Sequence, residues 1–207
     1  MFLSPEIILK AYTRGIFPMS DSFDDPFIYW VDPQIRGIIK QDEFKISKSL
    51  RKTLKKKNYV IKINKNFEKV INLCAKNTNR KKTWINKQII SNYIKLFQIG
   101  KAKSVECYYK DKLAGGLYGI IIGNIFCGES MFSIEKDASK ISLVYLAAHL
   151  KEGGFKFIDT QFYSDHLKQF GTKKIIRNDY KELLSNNNKV VKYFPENISN
   201  DILNYFK

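Results

Sequence analysis

The sequence predicts an α+β chain: a mixed central sheet preceded by a small N-terminal lobe. Three observations carry this. Three apolar segments, 104–110, 113–122 and 125–132, are joined only by Asp111-Lys112 and Gly123-Asn124, the spacing of an antiparallel meander. A helix-period segment follows at 137–151, capped by Asp137, with Ile141, Val144, Tyr145 and Ala148 on one face and Gly153-Gly154 at its end. Beyond it, 155–159 is short, apolar and bounded by glycine and polar residues, which reads as a buried strand.

Taken in order, the chain opens with Ser4, Pro5 and Glu6, an N-cap followed by proline at the first helical position, and Ile7, Ile8, Ala11 and Tyr12 recur at helical spacing until Gly15. Residues 16–33 hold Pro18, Pro26 and Pro33, the acids Asp21, Asp24 and Asp25, and five aromatics, an irregular but packed segment. Together these form the expected lobe, 1–33, with 34–207 as the main domain. In that domain 44–46 and 59–63 are expected as strands around a basic helix capped by Ser47, with helices at 64–76 and 86–99. After the strand at 155–159 come a short helix at 164–170, a strand at 174–176 and a last helix from Asn178.

The 207 residues are 44% hydrophobic and 27% charged, which excludes intrinsic disorder. The formal charge is +16, and its location is informative: residues 44–105 contain 18 lysines and arginines against one acid, Glu68. Clustered cations of this kind suit a phosphate backbone, so RNA or DNA is the expected partner and a membrane is not. Cys74, Cys107 and Cys127 are widely spaced and the histidines are His149 and His166, so neither a disulfide framework nor a metal site is expected. The segment from Met1 to Glu6 lacks the basic and apolar regions of a signal peptide, and 113–127 is too short and too glycine-broken to span a bilayer. A cytoplasmic protein without cofactor is expected.

Chemistry is expected at three places. Glu129 lies near the end of a strongly apolar strand, where an unpaired carboxylate costs several kcal/mol. Asp159 and Gln161 follow an apolar strand and alternate onto one face of it. Trp84 and Tyr93 stand in the basic stretch, where aromatics can stack a base or simply pack. Neither histidine adjoins a serine or cysteine in a nucleophile arrangement, so direct transfer between two bound substrates is favoured over a covalent enzyme intermediate.

The segments Tyr12-Thr-Arg-Gly-Ile-Phe-Pro18, Thr83-Trp-Ile85, Gly115-Gly-Leu-Tyr-Gly119 with Phe126-Cys-Gly-Glu-Ser-Met-Phe-Ser133, and Ile158-Asp-Thr-Gln161 with Asp165-His166, in this order, closely resemble the leucyl/phenylalanyl-tRNA–protein transferase family. The resemblance runs from about Leu3 to Pro195, in the form of a short member without the N-terminal extension of longer ones. It implies a GNAT-like catalytic domain and an aminoacyltransferase of the N-end-rule degradation route. Leucine or phenylalanine, less readily methionine, would move from its tRNA to the N-terminal arginine or lysine of a protein.

The resemblance places Tyr12, Met19, Trp84 and Tyr93 around the 3′-terminal adenosine and aminoacyl group, and Leu117, Phe126, Met131 and Ile158 in the apolar amino-acid pocket. Glu129, Asp159 and Gln161 match the polar catalytic positions. Met19 departs from the family, whose longer members usually carry tryptophan there, and Ser164 stands where some have asparagine. On this reading Asp159 polarises Gln161, whose carbonyl oxygen orients the incoming amine, and Glu129 attracts its ammonium form or basic side chain; the proton leaves through Asp159 or the tRNA 2′-hydroxyl. Two other readings compete less well. An acyl-CoA acetyltransferase needs a glycine-rich turn for the pyrophosphate, whereas 133–138 reads Ser-Ile-Glu-Lys-Asp-Ala. A non-catalytic RNA-binding protein would explain the lysines but not Glu129 or the Asp-x-Gln pair.

The basic stretch generates a prediction of its own. Replacing Lys55, Lys56 and Lys57 together with alanine is expected to raise the KM for aminoacyl-tRNA several-fold at physiological salt, with the single-turnover rate at saturation nearly unchanged. A large rate loss at saturation counts against it.

Overall fold

The computed structural model describes residues 3–56, 58–76 and 82–207. Lys57, Arg80 and Lys81 of the basic stretch therefore lie outside the described residues. Ser4 caps α1 (Pro5–Tyr12) by accepting from the Ile7 N–H, and short strands β1 (Phe17–Met19) and β2 (Tyr29–Val31) pair antiparallel behind it. The chain continues through β3 (Ile35–Lys40), α2 (Lys48–Lys55), β4 (Val60–Ile63), α3 (Phe67–Ala75) and α4 (Lys87–Gln98). The meander is β5 (Ala102–Tyr109), β6 (Lys112–Ile122) and β7 (Ile125–Ser133). It is followed by α5 (Ala138–Glu152), β8 (Phe157–Gln161), α6 (Asp165–Lys168), β9 (Lys173–Ile176) and α7 (Arg177–Asn187).

The large sheet has the order β4-β5-β6-β7-β8-β3-β9. Every neighbour pairs antiparallel except β7 and β8, which run parallel because α5 carries the chain across one face between them. Both faces are covered. One core cluster gathers α5, α2 and the C-terminal residues Ile202, Tyr205 and Phe206; the other gathers Ile8 and Tyr12 with α3, α4 and α7. Strand β6 is consequently buried along nearly its whole length, as its continuous apolar run foretells.

Three expectations are corrected. Residues 44–46 are not a strand: Phe44 and Ile46 turn into the core, but the backbone makes a single bond, Lys45 N–H to Phe170 O at 3.0 Å, to a segment that is not a strand. The strand in that region is β3, whose apolar run is interrupted by Arg36 and Gly37 and which inserts between β8 and β9. Asp137 does not cap α5. It adopts φ +64° and pairs with Lys140, while Ser133 Oγ accepts the Ser139 N–H at 3.1 Å. Nor does α5 keep a solvent face: the segment bearing Phe194 and Pro195 lies over it, stacking Phe194 on His149 and accepting a hydrogen bond from the imidazole Nδ1–H at 2.8 Å.

Two bulges interrupt the ladders where the sequence reading places chemistry. Between β6 and β7, Tyr118 faces Ser130 and Gly119 faces Gly128, leaving Glu129 without a cross-strand partner. Between β3 and β8, Gly37 faces Gln161 and Ile38 faces Asp159, leaving Thr160 as the extra residue. A glycine stands opposite each bulge for a steric reason. A Cβ on Gly119 would lie 2.3 Å from the Cys127 carbonyl oxygen, and one on Gly37 would lie 2.4 Å from Thr160 Oγ1 and 2.8 Å from the Phe162 carbonyl oxygen.

Substituting alanine for Gly119 or Gly37 is accordingly expected to lower stability by about 1–3 kcal/mol, read as a drop in the urea midpoint. Gly128→Ala, whose Cβ would meet nothing nearer than 3.6 Å, is expected to leave it almost unchanged.

Candidate active site

The bulge in β7 turns Glu129 inward, where three neutral groups from three elements meet its carboxylate. From α1, Tyr12 donates its hydroxyl to Oε1 at 2.5 Å; from α4, Tyr93 donates to Oε2 at 3.1 Å; from the end of β8, Gln161 Nε2 donates to Oε1 at 3.0 Å. The two tyrosine hydroxyls are 3.0 Å apart, and Gln161 Nε2 also reaches Tyr12 at 3.2 Å. Glu129 is 8% exposed, Gln161 4%, Tyr12 1% and Tyr93 not at all, so the network is buried apart from the edge that opens to a cavity.

Electrostatics follow from that burial. Desolvation pushes the Glu129 carboxyl up to about 7; the hydrogen bonds from Tyr12, Gln161 and Tyr93 oppose the rise and the charge on Asp159 adds to it. Burial, reinforced by the Glu129 charge, holds the Tyr12 and Tyr93 hydroxyls well above their ordinary range, so both remain donors.

Asp159 is arranged differently. It is fully buried and receives Arg36 through two bonds, Nε to Oδ1 at 3.0 Å and Nη2 to Oδ2 at 2.7 Å, together with the Tyr180 hydroxyl on Oδ2 at 2.7 Å. Its link to Gln161 runs through the backbone: the Gln161 N–H donates to Oδ1 at 2.8 Å, closing a two-residue turn in which Gln161 has φ +61°. The expectation that Asp159 polarises the Gln161 side chain or takes the amine proton therefore changes. The carboxylate is enclosed by Arg36, Tyr180 and the Gln161 N–H, and it does not line the cavity.

That cavity, about 540 Å³, is lined by Met19, Trp84, Leu117, Phe126, Met131 and Ile158, all named from the sequence, and by Glu129 and Gln161 at its polar edge. Tyr12 and Tyr93 do not line it: Tyr12 adjoins it through Glu129 and Gln161, and Tyr93 through Glu129. Lys55 and Lys56 are exposed at the end of α2 and form no part of it, and Lys57 lies outside the described residues. Among the described residues no group of three or more metal-ligating side chains is assembled. Sequence reasoning missed Arg36, Tyr180 and the cavity-lining Phe162; Ser130 and His166, which also line the cavity, stand within quoted motifs but were given no role. Burial and Lys140 hold the His166 imidazole below its ordinary range. One signal for Arg36 existed. In a chain whose 36 cations are nearly all lysine, an arginine inside the apolar run Ile35–Ile39 marks a place where a two-pronged, permanently charged donor is needed.

A carboxyl raised by folding stabilises the protein while protonated and loses that contribution as pH rises through its folded value. Glu129→Gln is therefore expected to be more stable than the parent at pH 8, by up to about 3 kcal/mol, with the difference vanishing toward pH 4.5. Urea midpoints across that range measure it, and a variant less stable than its parent at pH 8 overturns it.

The family described as leucyl/phenylalanyl-tRNA protein transferase matches residues 38–185, and the N-terminal domain of the same family matches residues 1–34. The chain is 49% identical over 181 residues to the leucyl/phenylalanyl-tRNA–protein transferase of Maricaulis maris, covering 87% of this chain and 84% of that one. It is 44% identical over 196 residues to that of Paramagnetospirillum magneticum, covering 94% of each. Among solved structures, a conserved protein of unknown function from Bacteroides thetaiotaomicron overlays with a TM-score of 0.48 at 9% identity, over 78% of this chain and 58% of the other. With both segments of the family matched and relatives this similar along most of their length, the chain belongs to the leucyl/phenylalanyl-tRNA protein transferase family.

Proposed function

We propose that this protein moves leucine or phenylalanine, less readily methionine, from its tRNA to the N-terminal arginine or lysine of an acceptor protein, in the cytoplasm and as a step of N-end-rule degradation. The observation that carries the reading is the cavity whose apolar wall, Leu117, Phe126, Met131 and Ile158, ends on the Glu129–Gln161 pair. Such a wall accepts a branched or aromatic side chain, and methionine in it lends adaptability. Met19 and Trp84 line the same space and are assigned to the terminal adenosine.

The chemistry required is modest, because the aminoacyl ester is already activated. The acceptor α-amine attacks the ester carbonyl, the new C–N bond forms, and the C–O bond to the ribose breaks as the second proton shed by the nitrogen passes, by way of the adjacent 2′-hydroxyl, to the leaving ribose oxygen, releasing tRNA. Gln161 Nε2 is committed to Glu129 and Tyr12, while its Oε1 takes no part in that network and is the group assigned to orient the amine. Glu129, with its carboxyl near 7, attracts the α-ammonium and takes its proton as the nucleophile forms. This assigns the proton to Glu129 in place of Asp159. Positioning and a preorganised, water-poor site supply the rest of the rate.

Two finer readings go with it. The meander β5-β6-β7, the crossing helix α5 and the parallel β8 support a GNAT-like architecture for residues 34–207. Residues 1–33 are assigned as a lobe that contributes Tyr12 and Met19 to the site.

Purified protein incubated with radiolabelled Leu-tRNA and two peptides, one beginning with Arg and one with Ala, is expected to label the Arg peptide alone. Label in neither peptide, with tRNA still retained on a filter, overturns the transferase reading in favour of RNA binding without catalysis.

A further inference from the structure

Arg36 and Tyr180 touch neither the cavity nor Glu129, yet two functional side chains depend on where they sit. Arg36 is 1% exposed, and its guanidinium lies between two rings, 4.8 Å from the Phe17 centroid and 4.4 Å from that of Tyr180. Four of its contacts leave it no freedom: two bonds to Asp159, one from Nη1 to the Gly15 carbonyl oxygen at 2.9 Å, and a long one from Nη2 to the Tyr180 hydroxyl at 3.4 Å. Gly15 follows α1 by three residues after Tyr12, and Asp159 precedes Gln161 by two. One cation thus ties together the segment that supplies Tyr12 and the strand that supplies Gln161.

We infer that Arg36 and Tyr180 are positioning residues for the transfer reaction, clamping Asp159 so that the backbone of Gln161 is held in the conformation that aims its side chain at Glu129. This rests on the transferase reading. The backbone at Gln161 is the part that needs holding: φ +61° is unfavourable for a residue with a Cβ, and the Gln161 N–H bond to Asp159 Oδ1 is what retains it. A carboxylate free to rotate could not do so. Arg36 occupies one edge of Asp159 with a fixed fork and Tyr180 supplies a further donor to Oδ2, so the orientation of Oδ1 toward Gln161 is set.

The test uses Tyr180→Phe, which removes one hydroxyl and keeps the ring over Arg36. Its single-turnover transfer rate at saturating Leu-tRNA and Arg peptide is expected to fall about tenfold with KM for Leu-tRNA unchanged. In a Gln161→Ala background the same substitution is expected to change the rate less than twofold, because its effect passes through Gln161. Arg36→Lys, which keeps the charge but not the fork, is expected to reproduce the loss in a folded protein. A second readout is independent of activity: amide hydrogen exchange at Gln161 is expected to accelerate about tenfold in Tyr180→Phe while β6 stays protected. Independent, multiplicative rate effects of Tyr180→Phe and Gln161→Ala, or unchanged exchange at Gln161, overturn the clamp and leave the transferase reading intact. Absence of transfer by the parent protein overturns that reading, and the exchange measurement then decides the clamp alone.

Discussion

Two carboxylates are buried within one small region of this sheet, and only one of them is given a cation. Asp159 is neutralised by Arg36 and satisfied by Tyr180 and the Gln161 N–H; Glu129 is met by the neutral donors Tyr12, Tyr93 and Gln161. A buried charge without its partner is strongly destabilising, so the Arg36–Asp159 pair stands or falls as a unit. Glu129, pushed up to about 7 chiefly by burial, can change its charge near physiological pH. The same side-chain chemistry thus meets two environments, one an ion pair and the other a set of neutral donors beside a cavity.

The division depends on backbone irregularity. A regular β7 would place Glu129 in ordinary alternation with Gly128 and Ser130, and the bulge opposite Gly119 takes it out of that alternation. At the end of β8 the extra residue Thr160 and the left-handed turn at Gln161 do the same for the amide. Both departures are admitted by glycine on the neighbouring strand, where any Cβ would collide with backbone. They are sustained by long-range contacts: the turn at Gln161 by the Arg36 clamp, and the position of Glu129 by tyrosines from α1 and α4. Residues from the first twelve positions to the last helix thereby converge on one polar edge.

Sequence alone was enough to find the meander, the crossing helix, β8, the helix caps at Ser4 and Ser47, and, of the apolar cavity wall, Leu117, Phe126, Met131 and Ile158, though not Phe162, Leu143 or Leu146. These are local or strand-periodic features, and Glu129 was conspicuous because a carboxylate in an apolar run demands an explanation. β3 escaped notice because Arg36 and Gly37 break its apolar pattern; the residues that disguise the strand are those the site requires. The expected strand at 44–46 had the right alternation of buried and exposed residues, but the segment its backbone meets, at Phe170, is not a strand.

Local pattern thus determined most of the elements, the family and most of the side chains around the cavity, since each is written in short-range spacing. Which carboxylate is held in an ion pair and which is met by neutral donors was decided only in the tertiary structure. Asp159 meets Arg36 across 123 positions of sequence, and Glu129 meets Tyr12 across 117. The protonation of a buried acid is set by what surrounds it in space, and, the Gln161 N–H beside Asp159 apart, the groups that meet the two acids come from distant stretches of chain.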